Sequence, residues 1–119
     1  MSKAERFEDL RIWQEARALV RSVRAATRDV RDFDFRDQFR SAALSIMNNI
    51  AEGFERRTDA DFAHFLDMAK GSAGEVRSMT YVAEDDAIFT AELAQRFRDE
   101  CIRLSGGIAT LAAYLRKQT

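Results

Sequence analysis

Apolar residues recur three and four positions apart through nearly the whole chain, and no proline interrupts them. Proline removes a backbone donor and breaks a helix, and glycine weakens one, yet only five glycines are present. A three-four rhythm puts apolar side chains on one face of a helix, whereas a strand needs strict alternation, which is absent. The chain is therefore constrained to be all-α.

Four segments carry the rhythm. Helix 1 is expected over about residues 10–31, with Asp9 as N-cap and a seam of Trp13, Ala16, Val20, Val23, Thr27 and Val30, widened by Leu19. Residues 32–35 form a connection. Helix 2 spans about 36–54, capped by Asp34, with a seam of Phe39, Ala43, Ile46 and Ile50. Gly53, followed by Arg56 and Arg57, reads as its C-terminal stop. Helix 3 spans about 59–85 behind a Thr58 cap, with a seam of Phe62, Leu66, Ala69, Ala73, Val76, Thr80 and Ala83. Helix 4 spans about 91–117 behind Thr90, with a seam of Leu93, Phe97, Cys101, Leu104, Ile108, Leu111 and Leu115.

Four amphipathic helices of similar length, joined by short connections, predict an antiparallel up-down-up-down four-helix bundle, with residues 1–119 as one domain. Glycines inside the long helices need a reason. Gly71 and Gly74 on helix 3 suggest close approach of a neighbouring helix, and Gly106-Gly107 suggest the same or a break in helix 4.

No apolar run approaches ~20 residues, so no membrane-spanning helix is expected. Met1 to Arg6 lack the apolar stretch of a secretory signal. Cys101 is the single cysteine, which excludes an internal disulfide and fits a cytoplasmic protein; on the helix-4 seam it reads as a core thiol rather than a nucleophile.

A polar stripe accompanies the core seam of helix 2. Ser45, Asn49 and Glu52 fall at i, i+4 and i+7, beside Ile46 and Ile50. Ser72 and Glu75 on helix 3 are their expected partners. Half-buried polar groups require hydrogen bonds. The set reads either as a network between helices or subunits, with an arginine such as Arg40, Arg56 or Arg77 neutralising a glutamate, or as paired carboxylates, Glu52 and Glu75, doing acid-base work. No nucleophile or second titratable group accompanies the carboxylates.

A di-metal bundle centre needs two Glu-x-x-His pairs and two further glutamates. The single histidine, His64, has only Asp61 three residues before it, so no metal centre is expected. No glycine-rich phosphate loop follows a strand, and no cofactor or small-molecule substrate is indicated.

The formal net charge is −1, so the molecule as a whole is not a basic nucleic-acid binder. Its cations are unevenly chosen and placed: sixteen arginines stand against three lysines. This is either a compositional bias or a use of arginine's planar fork, which grips carboxylates and phosphates. Arg17, Arg21, Arg24, Arg28 and Arg31 recur at 4, 3, 4 and 3 and would stack along one face of helix 1. Residues 58–88 carry two basic and seven acidic groups, a net of −5. The ridge can be a solvated face, can pair with the acidic helix 3 of another subunit, or can offer phosphate-binding surface.

The residues also carry a resemblance. Phe7-Glu8-Asp9-Leu10 with Trp13 and Ala16, then Gln38, Arg40, Ala42 and Ala43 leading into Ser45-Ile46 and Asn49-Ile50-Ala51-Glu52-Gly53, then Phe62, Phe65, Leu66, Ala69, Gly71-Ser72 and Glu75 resemble the 23S rRNA intervening-sequence proteins over nearly the whole chain. These are small four-helix bundles, some encoded inside split ribosomal RNA genes. The family often has proline after the Ser-Ile pair. Met47 stands there in this chain, so helix 2 is expected to start earlier or run straighter than in those relatives. The resemblance implies a homopentamer. A branch similar in fold, the accessory proteins of diversity-generating retroelements, associates with nucleic acid and a reverse transcriptase.

The expectation is a non-enzymatic, cytoplasmic assembly module that binds RNA or an RNA-associated protein. Arg17, Arg21, Arg24 and Arg28 would contact phosphate, while Trp13, Ser45, Asn49, Glu52, Gly71, Ser72 and Glu75 would serve packing and assembly. The alternatives are a protein-binding ring without nucleic-acid affinity and, more remotely, an enzyme using Glu52 and Glu75.

Overall fold

A computed structural model describes residues 4–118; Met1, Ser2 and Lys3 of the N-terminal segment read above lie outside the described residues, as does Thr119. A 3-10 turn over Phe7–Asp9 leads into α1 (Arg11–Ala26), α2 (Phe33–Phe54), α3 (Asp59–Asp85) and α4 (Ala91–Lys117). No strand occurs among the described residues. The helices run antiparallel in a bundle of 46 × 21 × 18 Å. α3 packs extensively against α2 and α4, and α1 lies on α2 with only sparse contact to α4.

The predicted seams fill one core that draws on all four helices. Phe39, Ala43, Ile46, Ile50, Leu66, Ala69, Ala73, Val76, Phe97, Cys101 and Ile108 are fully buried in it. Each seam is wider than the three-four pattern alone, taking in Ile12, Ala42, Ala63, Ala94 and Ala112. Four phenylalanines close one end. Phe39 lies 5.1 Å from Phe35, 5.5 Å from Phe89 and 5.7 Å from Phe97, ring centre to ring centre. Such rings add about 0.5–1.5 kcal/mol per pair to their burial.

Two helix boundaries differ from the sequence expectation. α1 stops at Ala26 instead of running to residue 31. The cause is Thr27, fully buried, whose hydroxyl donates to the Val23 carbonyl at 2.7 Å and accepts the Arg40 Nε–H at 2.8 Å. A threonine that bonds back into the last turn while tied to another helix favours termination there. α2 then starts at Phe33, because Asp32 rather than Asp34 is the cap: its carboxylate accepts the Phe35 N–H at 3.1 Å. Asp9 likewise caps nothing. Leu10 holds the N-cap position of α1 without a side-chain bond, and Asp9 pairs with Arg6 at 3.4 Å. Thr58 and Thr90 do cap α3 and α4, accepting the Asp61 and Leu93 N–H groups at 3.1 Å each.

The glycines divide by role. Gly53 is no left-handed stop, since no glycine has positive φ and α2 ends in ordinary helical geometry at Phe54. It instead lets α3 come close. Gly107 does the same for Ile12, and α4 runs through the Gly106-Gly107 pair unbroken. Gly71 and Gly74 face nothing within 4 Å, so the close approach expected of them does not occur within the chain.

Candidate functional site

The arginine ridge begins on α1 and outlasts it. Arg17, Arg21 and Arg24 project from the exposed side of the helix, whereas Arg28 lies in the turn beyond and Arg31 in the connection to α2. The five-residue helical stack expected from the spacing is therefore three helical arginines continued by two in irregular backbone. All five are exposed. Among the described residues, none of them sits within ion-pair distance of a carboxylate. Arg17 lies 5.8 Å from the centre of the Trp13 ring, and Trp13 is itself buried against Phe7 at 5.2 Å.

Arg21 borders a shallow groove floored by Ala18, Ser22 and Ala25. A cleft of about 170 Å³ also opens between α1 and α4, where Leu19, Ser22 and Leu104 are joined by Arg103 and by two carboxylates, Glu15 and Glu100. The ridge is thus flanked by the small side chains Ala18, Ser22 and Ala25, with Glu15 and Glu100 on the α4 side.

The polar stripe forms a compact network across α2 and α3. The Ser45 and Ser72 hydroxyls are 2.9 Å apart, and Asn49 Nδ2 donates to the Ser45 carbonyl at 2.9 Å and to its hydroxyl at 3.0 Å. The three residues are half-buried. Glu52 and Glu75 stand outside this network, exposed, with no arginine at ion-pair distance among the described residues. None of the arginines expected to neutralise them does so. Arg40 serves Thr27, Arg56 lies over the Phe65 ring at 4.6 Å, and Arg77 is exposed. On α3, Met68, 43% accessible, is exposed one turn before Ser72, beside the open backbone of Gly71.

The structure also contains a polar constellation that no sequence pattern announces. Arg98, in the α4 seam, is only 7% exposed. Its Nη2 donates to Glu84 at 2.8 Å, its Nη1 to the Thr80 hydroxyl at 3.3 Å and its Nε to Gln95 at 3.3 Å, while its guanidinium lies 4.3 Å from the Tyr81 ring centre. Every donor group is engaged by α3 or α4, which makes this a structural clamp. The apolar spacing of Phe97, Cys101 and Leu104 passes over it, because a charged residue adds nothing to an apolar pattern.

Burial, with a smaller push from Glu100, raises the Cys101 thiol from 9.0 to about 12 against a weaker opposing effect of Arg77, so it stays protonated at neutral pH. A hydrogen bond from Arg116 holds the Asp67 carboxyl below its ordinary value and raises Arg116 in return; Nη1 of Arg116 donates to Asp67 at 3.2 Å. His64 is exposed, edge-on to Phe65. Among the described residues, no three His, Cys, Asp or Glu side chains are placed to share a metal ion, and no helix is long and apolar enough to cross a membrane.

A family model described as 23S rRNA-intervening sequence protein matches residues 8–110, and the chain belongs to that family. No curated protein matches it. A solved structure from Bacteroides thetaiotaomicron, described as a protein with unknown function from the S23 ribosomal protein family, is similar over 85% of this chain and 97% of its own, with a TM-score of 0.75 and 17% identity. That likeness shows a shared fold.

Proposed function

We propose that this member of the 23S rRNA-intervening sequence protein family is a non-enzymatic, self-assembling module that binds RNA through Arg17, Arg21, Arg24 and Arg28. The observation that carries the reading is the absence, among the described residues, of any carboxylate paired with these exposed guanidinium groups. Arginine presents a rigid donor fork suited to phosphate oxygens. A row of them along one edge follows a sugar-phosphate backbone without reading bases, which makes binding salt-dependent.

A single such ridge on a chain of net charge −1 is a weak site. Assembly compensates, because linked copies convert later contacts into intramolecular ones. The α2–α3 face is the assembly surface in this account. It combines a satisfied polar centre (Ser45, Asn49, Ser72), the exposed apolar Met68, the open Gly71, and rim carboxylates Glu52 and Glu75. A polar centre fixes register and the apolar neighbours supply association energy. Five copies are the count implied by the family resemblance, and a cytoplasmic setting fits the unpaired, buried Cys101. Trp13 serves internal packing.

The exposed Tyr81, Val82 and Ile102, each about half accessible, favour a second reading in which the partner is an RNA-associated protein. Gel retention of a short structured RNA separates the two. Arg21→Glu with Arg24→Glu abolishes retention at low salt under the first reading and leaves it unchanged under the second.

A further inference from the structure

A second cleft, of about 480 Å³, opens at the end of the bundle where α2 turns into α3, against the start of α1 and the last turns of α4. Its size falls within the range of small-molecule sites. The wall is aromatic: Phe54 and Phe62 meet edge to face at 5.9 Å, and Tyr114 completes it from α4, 41% exposed. The rim is cationic, with Arg11, Arg56 and Arg57. None of the three has a carboxylate partner among the described residues, and Arg56 is steadied on the Phe65 ring. Of the two acids on the same rim, Asp9 is taken by Arg6, which leaves Asp59 as the single opposing charge.

An aromatic wall under an arginine rim selects a flat ring that carries an anion. A bare phosphate would leave the aromatic surface wet, and a neutral apolar ligand would leave three guanidinium groups without an anion. We propose that this cleft binds a nucleotide, with the base stacked on Tyr114 and Phe54 and the phosphate held by Arg56, Arg57 and Arg11. The chemistry is the same whether the nucleotide is free or is the phosphorylated end of a strand. The site is separate from the Arg17–Arg28 ridge, since Arg11 and Arg21 are ten residues and roughly 15 Å apart along α1.

The test is an NMR titration of the full chain with AMP, adenosine and inorganic phosphate. AMP is expected to bind saturably, shifting Phe54, Phe62 and Tyr114, with adenosine and phosphate each weaker. Tyr114→Ala and Arg57→Ala, both at exposed positions, are expected to weaken AMP about tenfold, while their circular dichroism stays unchanged. Arg21→Glu with Arg24→Glu is expected to leave AMP binding intact, so failure of the ridge and failure of the cleft are separable. A 5′-phosphorylated oligoribonucleotide that displaces AMP identifies a strand end, and one that does not identifies a free nucleotide; both uphold the site. No saturable AMP binding, or binding indifferent to both cleft substitutions, overturns it.

Discussion

A Cβ placed on Gly53 of α2 would lie 2.7 Å from the Phe65 Cβ of α3 and 2.9 Å from the Phe62 ring. Real Cβ atoms do not approach that closely, so this position fixes the separation of the two helices. Gly53→Ala is expected to destabilise the fold by about 1–3 kcal/mol in urea denaturation, through overpacking. Gly106→Ala, where nothing lies within 4 Å, should instead stabilise by up to ~1 kcal/mol. Equal effects at the two sites would contradict the packing argument.

Arg98 and Glu84 join α4 to α3 from opposite degrees of exposure, 8% and 38% at the side chain. Glu84→Ala leaves a nearly buried cation with only neutral partners, Thr80 and Gln95. With Glu84 more than a third exposed, it should cost about 1–2 kcal/mol, and Arg98→Met, which keeps the stem and removes the charge, should cost less. Denaturant midpoints of the two variants decide the order.

Cys101 should resist thiol reagents at pH 8 in the folded protein and react promptly once urea unfolds it. The sign of the pH effect follows from the raised value. The folded chain holds the proton more tightly than the unfolded one, so this contribution is complete below pH 9.0 and is lost as pH climbs toward about 12. Cys101→Ala should flatten the stability profile across that window. An unaltered profile would mean that other groups set the alkaline limit.

Much of this architecture is legible in the residues because burial and helical period are local to the sequence. Ile46, Leu66 and Ile108 lie where the spacing puts them, and Thr58 and Thr90 cap as their positions suggest. Thr27 was on the seam, but its helix-ending role depends on Arg40, thirteen residues away, which no local pattern reports. The turn after α3 is hidden for a similar reason. Ala87 takes the left-handed position usually given to glycine, at φ 56°, held by the Ile88 N–H bond to the Ala83 carbonyl at 2.8 Å. In the polar stripe, Ser45, Asn49 and Ser72 meet as their spacing suggests, while Glu52 and Glu75 do not join them. Both glutamates fall on the solvent side of the stripe by a fraction of a turn, a distinction that spacing alone does not make. The end cleft is beyond sequence reach altogether, because it assembles residues from all four helices.

Light scattering of the purified protein with and without a short structured RNA, at ~50 mM and ~300 mM salt, tests assembly and RNA binding together. An oligomer of about five chains is expected to gain the mass of RNA at the lower salt, lose it at the higher, and gain none when Arg21 and Arg24 are both replaced by glutamate. A monomer, or an oligomer that ignores RNA at both salts, would contradict the proposed function.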